Sequence, residues 1–447
     1  MSSQTRILPI LHLTEHSSVP LEVLGTLVQI ESQDSLKEIS EPLSLDNFVK
    51  CSFPFGEQEL PSFEVVNSEI KTNYHIGVDW LIPEKIAIKV IPKVNDSMQV
   101  LDVVGVLREV LKDSDNQEHL DGLMHIDFYS KPIPLTSNDG LSLFVITAFI
   151  ASIRQILKRG LKKSFYDRQK VLRFKVKGKV ILTETLSKTK TKPIIQNVTC
   201  KYQDFGVDIP ENQLLKAALK ASLRQIHNQI DSFNIRELEK SVSSALSFFC
   251  NVSDVSRRAL DKNFQINPFF KTYKSAIRLA RMILKLESYS DSNTRFGECQ
   301  KVPAYWINMP KLFELYVYKK LKEAVGTDGV VVYHEKFHWQ ELDYLAKSQF
   351  NELPYFIADA KYKPRYSSID VIKEDARQLA GYARLSKVVQ TLKKWGMVNE
   401  NLVLPCLVIY PEQTASSSIN LRDVQPIDSY VKFFKIGIKL PTIDSSL

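Results

Sequence analysis

Cysteine and glycine are scarce in this 447-residue chain, at 5 and 15 residues. Cys51, Cys200, Cys250, Cys299 and Cys406 lie far apart, with no CxxC pair and no histidine pattern beside them. That spacing argues against a zinc site or a disulfide framework and fits a reducing cytoplasm. No GxxxxGK[ST] occurs, so the chain has no phosphate loop of its own for nucleotide hydrolysis. Long apolar runs are missing too. The longest, "LSLFVITAFIASI" (141–153), is too short to span a bilayer and reads as a buried helix, so no membrane partner is expected. The start, "MSSQTRILPI", lacks the charged-then-apolar pattern of a secretory leader. Internal repeats and low-complexity tracts are absent.

What is present is ordinary globular composition, 44% hydrophobic and 25% charged, in a chain long enough for two or three domains. The net charge of +8 is unevenly spread. Residues 158–192 hold thirteen Lys/Arg against Asp167 and Glu184, a local +11 that leaves the rest of the chain at −3. Within this segment "RFKVKGKV" alternates: Arg173, Lys175, Lys177 and Lys179 fall on one face of a strand, Phe174, Val176 and Val180 on the other. A cationic strand face suits phosphate contact, and DNA is the partner it points to. A solvated edge whose lysines discourage aggregation fits the same pattern.

The pattern along the chain predicts a multidomain α+β protein. Residues 1–135 read as a β-rich domain, with a hairpin over 74–94 and a helix near 98–112. Residues 136–300 read as a helical middle domain carrying the basic strand, with helices near 140–159, 209–230, 235–250 and 271–287. The polar stretch 288–301 marks a boundary. Residues 301–447 read as an α/β domain with a mixed sheet. Its elements are a helix over 310–325, strands through "VVVYHEKFHW", 340–346 and 355–363, a helix over 369–387 and a buried strand over 401–411.

In "YFIADAKYK" (355–363) an apolar strand carries Asp359 and Lys361, two apart and therefore on one face. Buried strand charge is costly unless it is paired or binds something. Asp343 lies sixteen residues upstream, at a hairpin-like distance, and Glu314 sits at the edge of the apolar stripe of the 310–325 helix. Carboxylates brought together repel unless a cation lies between them, and oxygen ligands suit Mg2+ or Mn2+. Asp343, Asp359 and the backbone carbonyl of Ala360 are candidate metal ligands. Lys361 would orient or deprotonate the attacking water, and Glu314 would be a further ligand or acid. Phosphodiester hydrolysis is the chemistry such a site performs. Taken alone, Asp359 and Lys361 read by default as an ordinary ion pair, and the flanking context is what points to a site. Gln378 and Tyr382, at i and i+4, share a helix face downstream.

The order Asp…Asp-x-Lys…Gln-xxx-Tyr resembles the PD-(D/E)xK nuclease fold with a RecB-like Gln–Tyr helix, with Leu342-Asp343 in place of the usual Pro-Asp. Further stretches, "IAIKVIPKV" (86–94), "KGKVILTETL" (177–186), "DFGVDIPENQLLKAAL" (204–219) and "YWINMPKLFELYV" (305–317), resemble the McrC subunit of McrBC-type modification-dependent restriction systems. The likeness spans roughly residues 74–410, and residues 1–70 carry none of it. It implies a cytoplasmic, Mg2+-dependent DNA endonuclease subunit that stimulates a separate AAA+ GTPase hexamer. The β-rich N-terminal part would dock to that motor. Gln378 and Tyr382 would help hold the substrate or the active-site helix. Two rival readings are a nuclease-like fold that binds DNA or activates the GTPase without cutting, and a standalone nuclease.

Overall fold

The computed structural model describes residues 9–21, 28–29, 48–55, 58–95, 99–113, 115–135, 140–189, 197–227, 235–254, 264, 271–291, 300–337, 340–363, 369–397 and 403–444. Most of the polar stretch expected to mark a boundary, and the last two lysines of the basic segment, lie outside these residues. The chain groups into two compact units. One joins residues 1–140 to 289–447, and the other is 141–288.

The first unit holds three larger sheets. In the six-stranded N-terminal sheet the strands run Met124–Asp127, Ala304–Asn308, His75–Ile82, Ile86–Ile91, Ile10–Thr14, Val28–Gln29. His75–Ile82 and Ile86–Ile91 form the expected antiparallel hairpin, while Ile10–Thr14 joins it parallel. A four-stranded antiparallel sheet, Ser18–Pro20, Glu69–Thr72, Gln58–Val66, Phe48–Phe55, lies against it. Leu11, Phe63, Val65, Ile70, Ile88 and Trp306 fill the core between them.

Ala304–Asn308 is the reason the units differ from the three expected segments, 1–135, 136–300 and 301–447. This strand is wholly buried and pairs on both sides, with His75–Ile82 and with Met124–Asp127. Trp306 lies opposite Gly77, and a Cβ on Gly77 would stand 2.0 Å from the Tyr305 carbonyl oxygen. Only glycine lets the two backbones approach so closely. The segment from 301 onward therefore begins inside the N-terminal sheet.

The helix Met309–Val325 follows at once. The Asn308 side chain accepts from the Lys311 amide, and Pro310 occupies its first turn, where a missing N–H costs nothing. Leu312, Phe313, Leu315, Tyr316, Val317 and Leu321 are buried along it. The site sheet comes next, in the order Val330–Phe337, Gln340–Lys347, Tyr355–Ala360, Cys406–Pro411, Phe433–Ile438, Gln425–Pro426. Its first three strands are antiparallel and the next two pair parallel, so the sheet is mixed, as expected. The helices Ile369–Tyr382 and Ser386–Lys394 make the parallel crossover, where the pattern predicts one helix over 369–387. A turn at Ala383–Leu385 separates them. Leu345, Ile357, Tyr382, Val388 and Leu392 pack together under this crossover.

The second unit is built on helices Leu141–Arg159, Pro210–His227, Ile235–Ser247 and Lys271–Asp291, all near their expected positions. Leu141–Arg159 is long and apolar enough to cross a membrane, yet thirteen of its nineteen residues are buried in the protein. It is a core helix. The unit also carries a three-stranded sheet, Ser164–Arg173, Asn197–Gly206, Lys179–Val180.

The expected strand through "RFKVKGKV" is not formed. Ser164–Arg173 ends at Arg173, and the chain turns back through Phe174 and Gly178, both at positive φ (54° and 68°), before Lys179–Val180. A Cβ on Gly178 would meet the Lys201 carbonyl oxygen at 2.5 Å, so glycine drives the turn. Arg173, Lys175, Lys177 and Lys179 are all exposed, but they spread along the crossover between two strands that flank Asn197–Gly206 on opposite sides, and do not share one strand face. Lys177 is partly committed, 3.5 Å from Asp204 and 4.1 Å from the Tyr202 ring.

Candidate active site

Strand register assembles the site. Tyr344 pairs with Ala358 and Leu345 with Ile357, which sets Asp343 directly opposite Asp359 on one face. On the other side, Tyr333 pairs with Tyr344 and Glu335 with Leu342, which sets His334 opposite Asp343. A row His334–Asp343–Asp359 thus crosses three strands. Like charges directly opposite each other destabilise a sheet, so the Asp343–Asp359 pair needs compensation.

Part of that compensation is visible. The Ala360 amide donates to Asp343 Oδ2 at 3.0 Å. Lys361, one residue beyond the end of the Tyr355–Ala360 strand, sets its ammonium 2.7 Å from Asp359 Oδ2. That contact is ionic and off the direction of a hydrogen bond, and Oδ2 makes no directed bond among the described residues. Lys361 Nζ donates instead to Gln378 Oε1 at 3.0 Å, and the Gln378 amide donates to the Tyr382 hydroxyl at 2.8 Å. Gln378 and Tyr382 therefore do belong to the site, as a helix face that seats the lysine.

Glu314 reaches the row from the Met309–Val325 helix. Its Oε2 lies 3.0 Å from His334 Nε2 and accepts from the Tyr333 hydroxyl at 3.2 Å. Tyr344 anchors the same turn by donating to the Glu314 carbonyl oxygen at 2.7 Å. One donor atom each from Glu314, His334 and Asp343 fall within 4.8 Å of one another. Asp343 thus sits between two groups, sharing one with Asp359 and the other with Glu314 and His334.

The electrostatics are those of a site short of positive charge. Burial pushes the Asp343 carboxyl well above its usual range, and the charges of Asp359 and Glu314 push it further. Burial also raises Asp359, which is 2% exposed, with Lys361 pulling against it. Lys361 in turn is held above its ordinary value, because its carboxylate neighbours outweigh its own burial.

The donors fit a divalent cation. Two apposed carboxylates whose protons are held tightly are what a hard cation replaces, and Asp359 keeps an oxygen without a directed bond. Glu314 adds a third carboxylate, and the His334 imidazole extends the set toward Mn2+ beside Mg2+. What the structure shows of Ala360 at this site is its amide donating to Asp343.

His334 is the residue that sequence pattern missed. Its φ of 51° takes it off the regular alternation of its strand, so only the hairpin register brings it to Asp343. Arg173, Lys175, Lys177 and Lys179 belong to the second unit and are no part of this cluster.

Residues 70–392, well over half of the chain, match the family described as McrBC 5-methylcytosine restriction system component. The chain belongs to the McrBC family. No curated protein matches it. Among solved structures it is similar to a chain of a half-complex from the tetradecameric assembly of Thermococcus gammatolerans McrB AAA+ hexamers with bound McrC. That likeness is at 14% identity and TM-score 0.38, covering 96% of this chain and 94% of that one. A chain of the Thermococcus gammatolerans McrBC complex is similar at 14% identity and TM-score 0.29, covering 71% and 88%. Membership of the McrBC family rests on the sequence match, and it bears out the resemblance drawn from the motifs.

Proposed function

We propose that this McrBC-family chain is the McrC-type endonuclease subunit, a Mg2+- or Mn2+-dependent hydrolase of DNA phosphodiesters with a PD-(D/E)xK site. One observation carries the reading: Asp343 and Asp359 lie opposite each other across two strands, with the Lys361 ammonium 2.7 Å from Asp359. Asp343 and Asp359 would hold the cation, with Glu314 and His334 on the other side of Asp343. The cation supplies charge stabilisation at the phosphate and a more acidic water. Lys361, seated by Gln378, keeps a positive charge beside that water and the phosphate oxygens. The Ala360 amide fixes the Asp343 carboxylate, and Tyr333 fixes Glu314. A separate AAA+ GTPase would be the partner, consistent with the missing phosphate loop. The exposed basic segment with Arg173, Lys175, Lys177 and Lys179 would add sequence-independent DNA affinity.

The test is nicking of 5-methylcytosine-containing plasmid in Mg2+, with the GTPase partner and GTP present. Asp359→Asn keeps the side chain's shape and removes its charge. Cleavage should fall by orders of magnitude, while partner binding and GTPase stimulation persist. A folded Asp359→Asn protein cutting at the wild-type rate would refute the assignment.

A further inference from the structure

A further buried carboxylate stands at the edge of the site. Asp375 lies on the Ile369–Tyr382 helix, is 4% exposed, and accepts from Lys363 Nζ at 3.1 and 3.2 Å. Its Oδ1 also lies 3.9 Å from Lys361 Nζ. Asp375 and Gln378 are i and i+3, and Gln378 and Tyr382 are i and i+4, so one helix face carries all three toward the lysine. The Lys363 side chain is 36% exposed.

The position of Asp375 matters because Asp359 is claimed twice. The same Asp359 oxygen cannot face both a cation and the Lys361 ammonium at close range. A lysine released by Asp359 needs another negative partner, or it swings into solvent. We propose that Asp375 is a positioning residue for Lys361: with Gln378 it forms a second seat for the ammonium, independent of Asp359. This rests on the nuclease reading of the site. Lys363 pairs with the same carboxylate from the more exposed side, and the seat does not depend on it. The charge of Asp375 acts on Lys361 as well as on Asp359, as their electrostatics already show.

The experiment compares Asp375→Asn, Asp375→Glu, Lys363→Met and Lys361→Ala in the full chain. The first readout needs no metal. Acetic anhydride labelling of Lys361 in an Asp359→Asn background, followed by mass spectrometry in chelator, should rise several-fold when Asp375→Asn is added and stay unchanged when Lys363→Met is added. The second is cleavage of methylated plasmid with partner, GTP and Mg2+. In Asp375→Asn kcat should fall on the order of 10- to 100-fold, as misplacement of a reacting group does. KM for DNA and calorimetric Mn2+ affinity should hold, and Asp375→Glu should recover most of kcat. If Asp375→Asn does not fold, Asp375→Ser takes its place in both readouts. Unchanged labelling and kcat in Asp375→Asn, with Lys361→Ala inactive, overturns the proposal and leaves the nuclease reading standing. Lys363→Met matching Asp375→Asn in both readouts also overturns it, reducing Asp375 to the partner of a structural pair. A wild-type chain that never cuts, while labelling still responds to Asp375→Asn, sinks the nuclease reading alone.

Discussion

Asp343, Asp359 and Lys361 show how much of a site residue types alone can announce. Charges two apart at the end of an apolar strand must be paired or bound to something, and that much was legible in "YFIADAKYK". The partner carboxylate was legible too, because a hairpin returns a strand over a short, countable distance. Gln378 and Tyr382 followed from helical spacing. His334 and Asp375 were not legible. His334 joins the row through cross-strand register and a positive φ, neither of which leaves a local pattern. Asp375 looks like any polar residue of an amphipathic helix until its burial is known. The same charges make a stability prediction. Lys361→Ala leaves buried Asp359 and half-buried Asp343 with less compensation and should destabilise the metal-free protein by about 3 kcal/mol. Mn2+ should then restore more stability to Lys361→Ala than it adds to the wild type. Asp359→Asn should be insensitive to Mn2+ by comparison. Thermal unfolding of the three proteins with and without Mn2+ measures this, and equal metal responses would count against cation binding at the pair.

At the scale of elements, long periodic helices were readable and the basic strand was not. The alternation of "RFKVKGKV" has the period of a strand, but Phe174 and Gly178 at positive φ interrupt it and the segment crosses from one side of Asn197–Gly206 to the other. Its cations are exposed without sharing one face. Changing Lys175, Lys177 and Lys179 together to Gln should weaken DNA binding similarly for all sequences. The slope of log affinity against log salt should become shallower by about 0.9 for each lost phosphate contact. An unchanged slope, measured by fluorescence anisotropy across salt, would remove these lysines from the DNA interface. A second element-level expectation concerns His75, at the start of the hairpin strand His75–Ile82 and 3% exposed. Burial lowers its pKa to about 4 from 6.5. The unfolded chain takes up this proton first as pH falls, so the neutral imidazole's contribution is complete above pH 6.5 and drains away toward pH 4. The loss should reach ~3 kcal/mol, and His75→Gln should flatten stability over that window in urea titrations.

For the whole molecule, sequence order and spatial order part company at one short strand. The composition shift near residue 301 is real, and it suggested a self-contained C-terminal domain. Ala304–Asn308, however, is buried between two strands of the N-terminal sheet, and Trp306 completes that sheet's core. Nothing local in "AYWIN" says which sheet it will enter, because an apolar strand pairs wherever register and glycine spacing permit. Here Gly77 supplies the permission. The consequence is physical. Residues 301–447 expressed alone would expose Tyr305, Trp306 and Ile307 and leave both edges of that strand unpaired, a recipe for aggregation. They would also lose the ion pair of Lys319 with Glu109 at 2.9 Å and the Asn308 amide's bond to Leu123. Residues 141–288, by contrast, contain a buried apolar helix, Leu141–Arg159, together with helices Pro210–His227 and Ile235–Ser247 that contact it. The expected outcome is that 141–288 unfolds cooperatively in urea with dispersed amide NMR signals, while 301–447 is collapsed or insoluble. Joining residues 1–140 to 289–447 through a short flexible linker should restore a folded protein that retains the Asp343–Asp359–Lys361 row. A well-dispersed, cooperatively unfolding 301–447 fragment would show that the strand Ala304–Asn308 is dispensable to the site sheet.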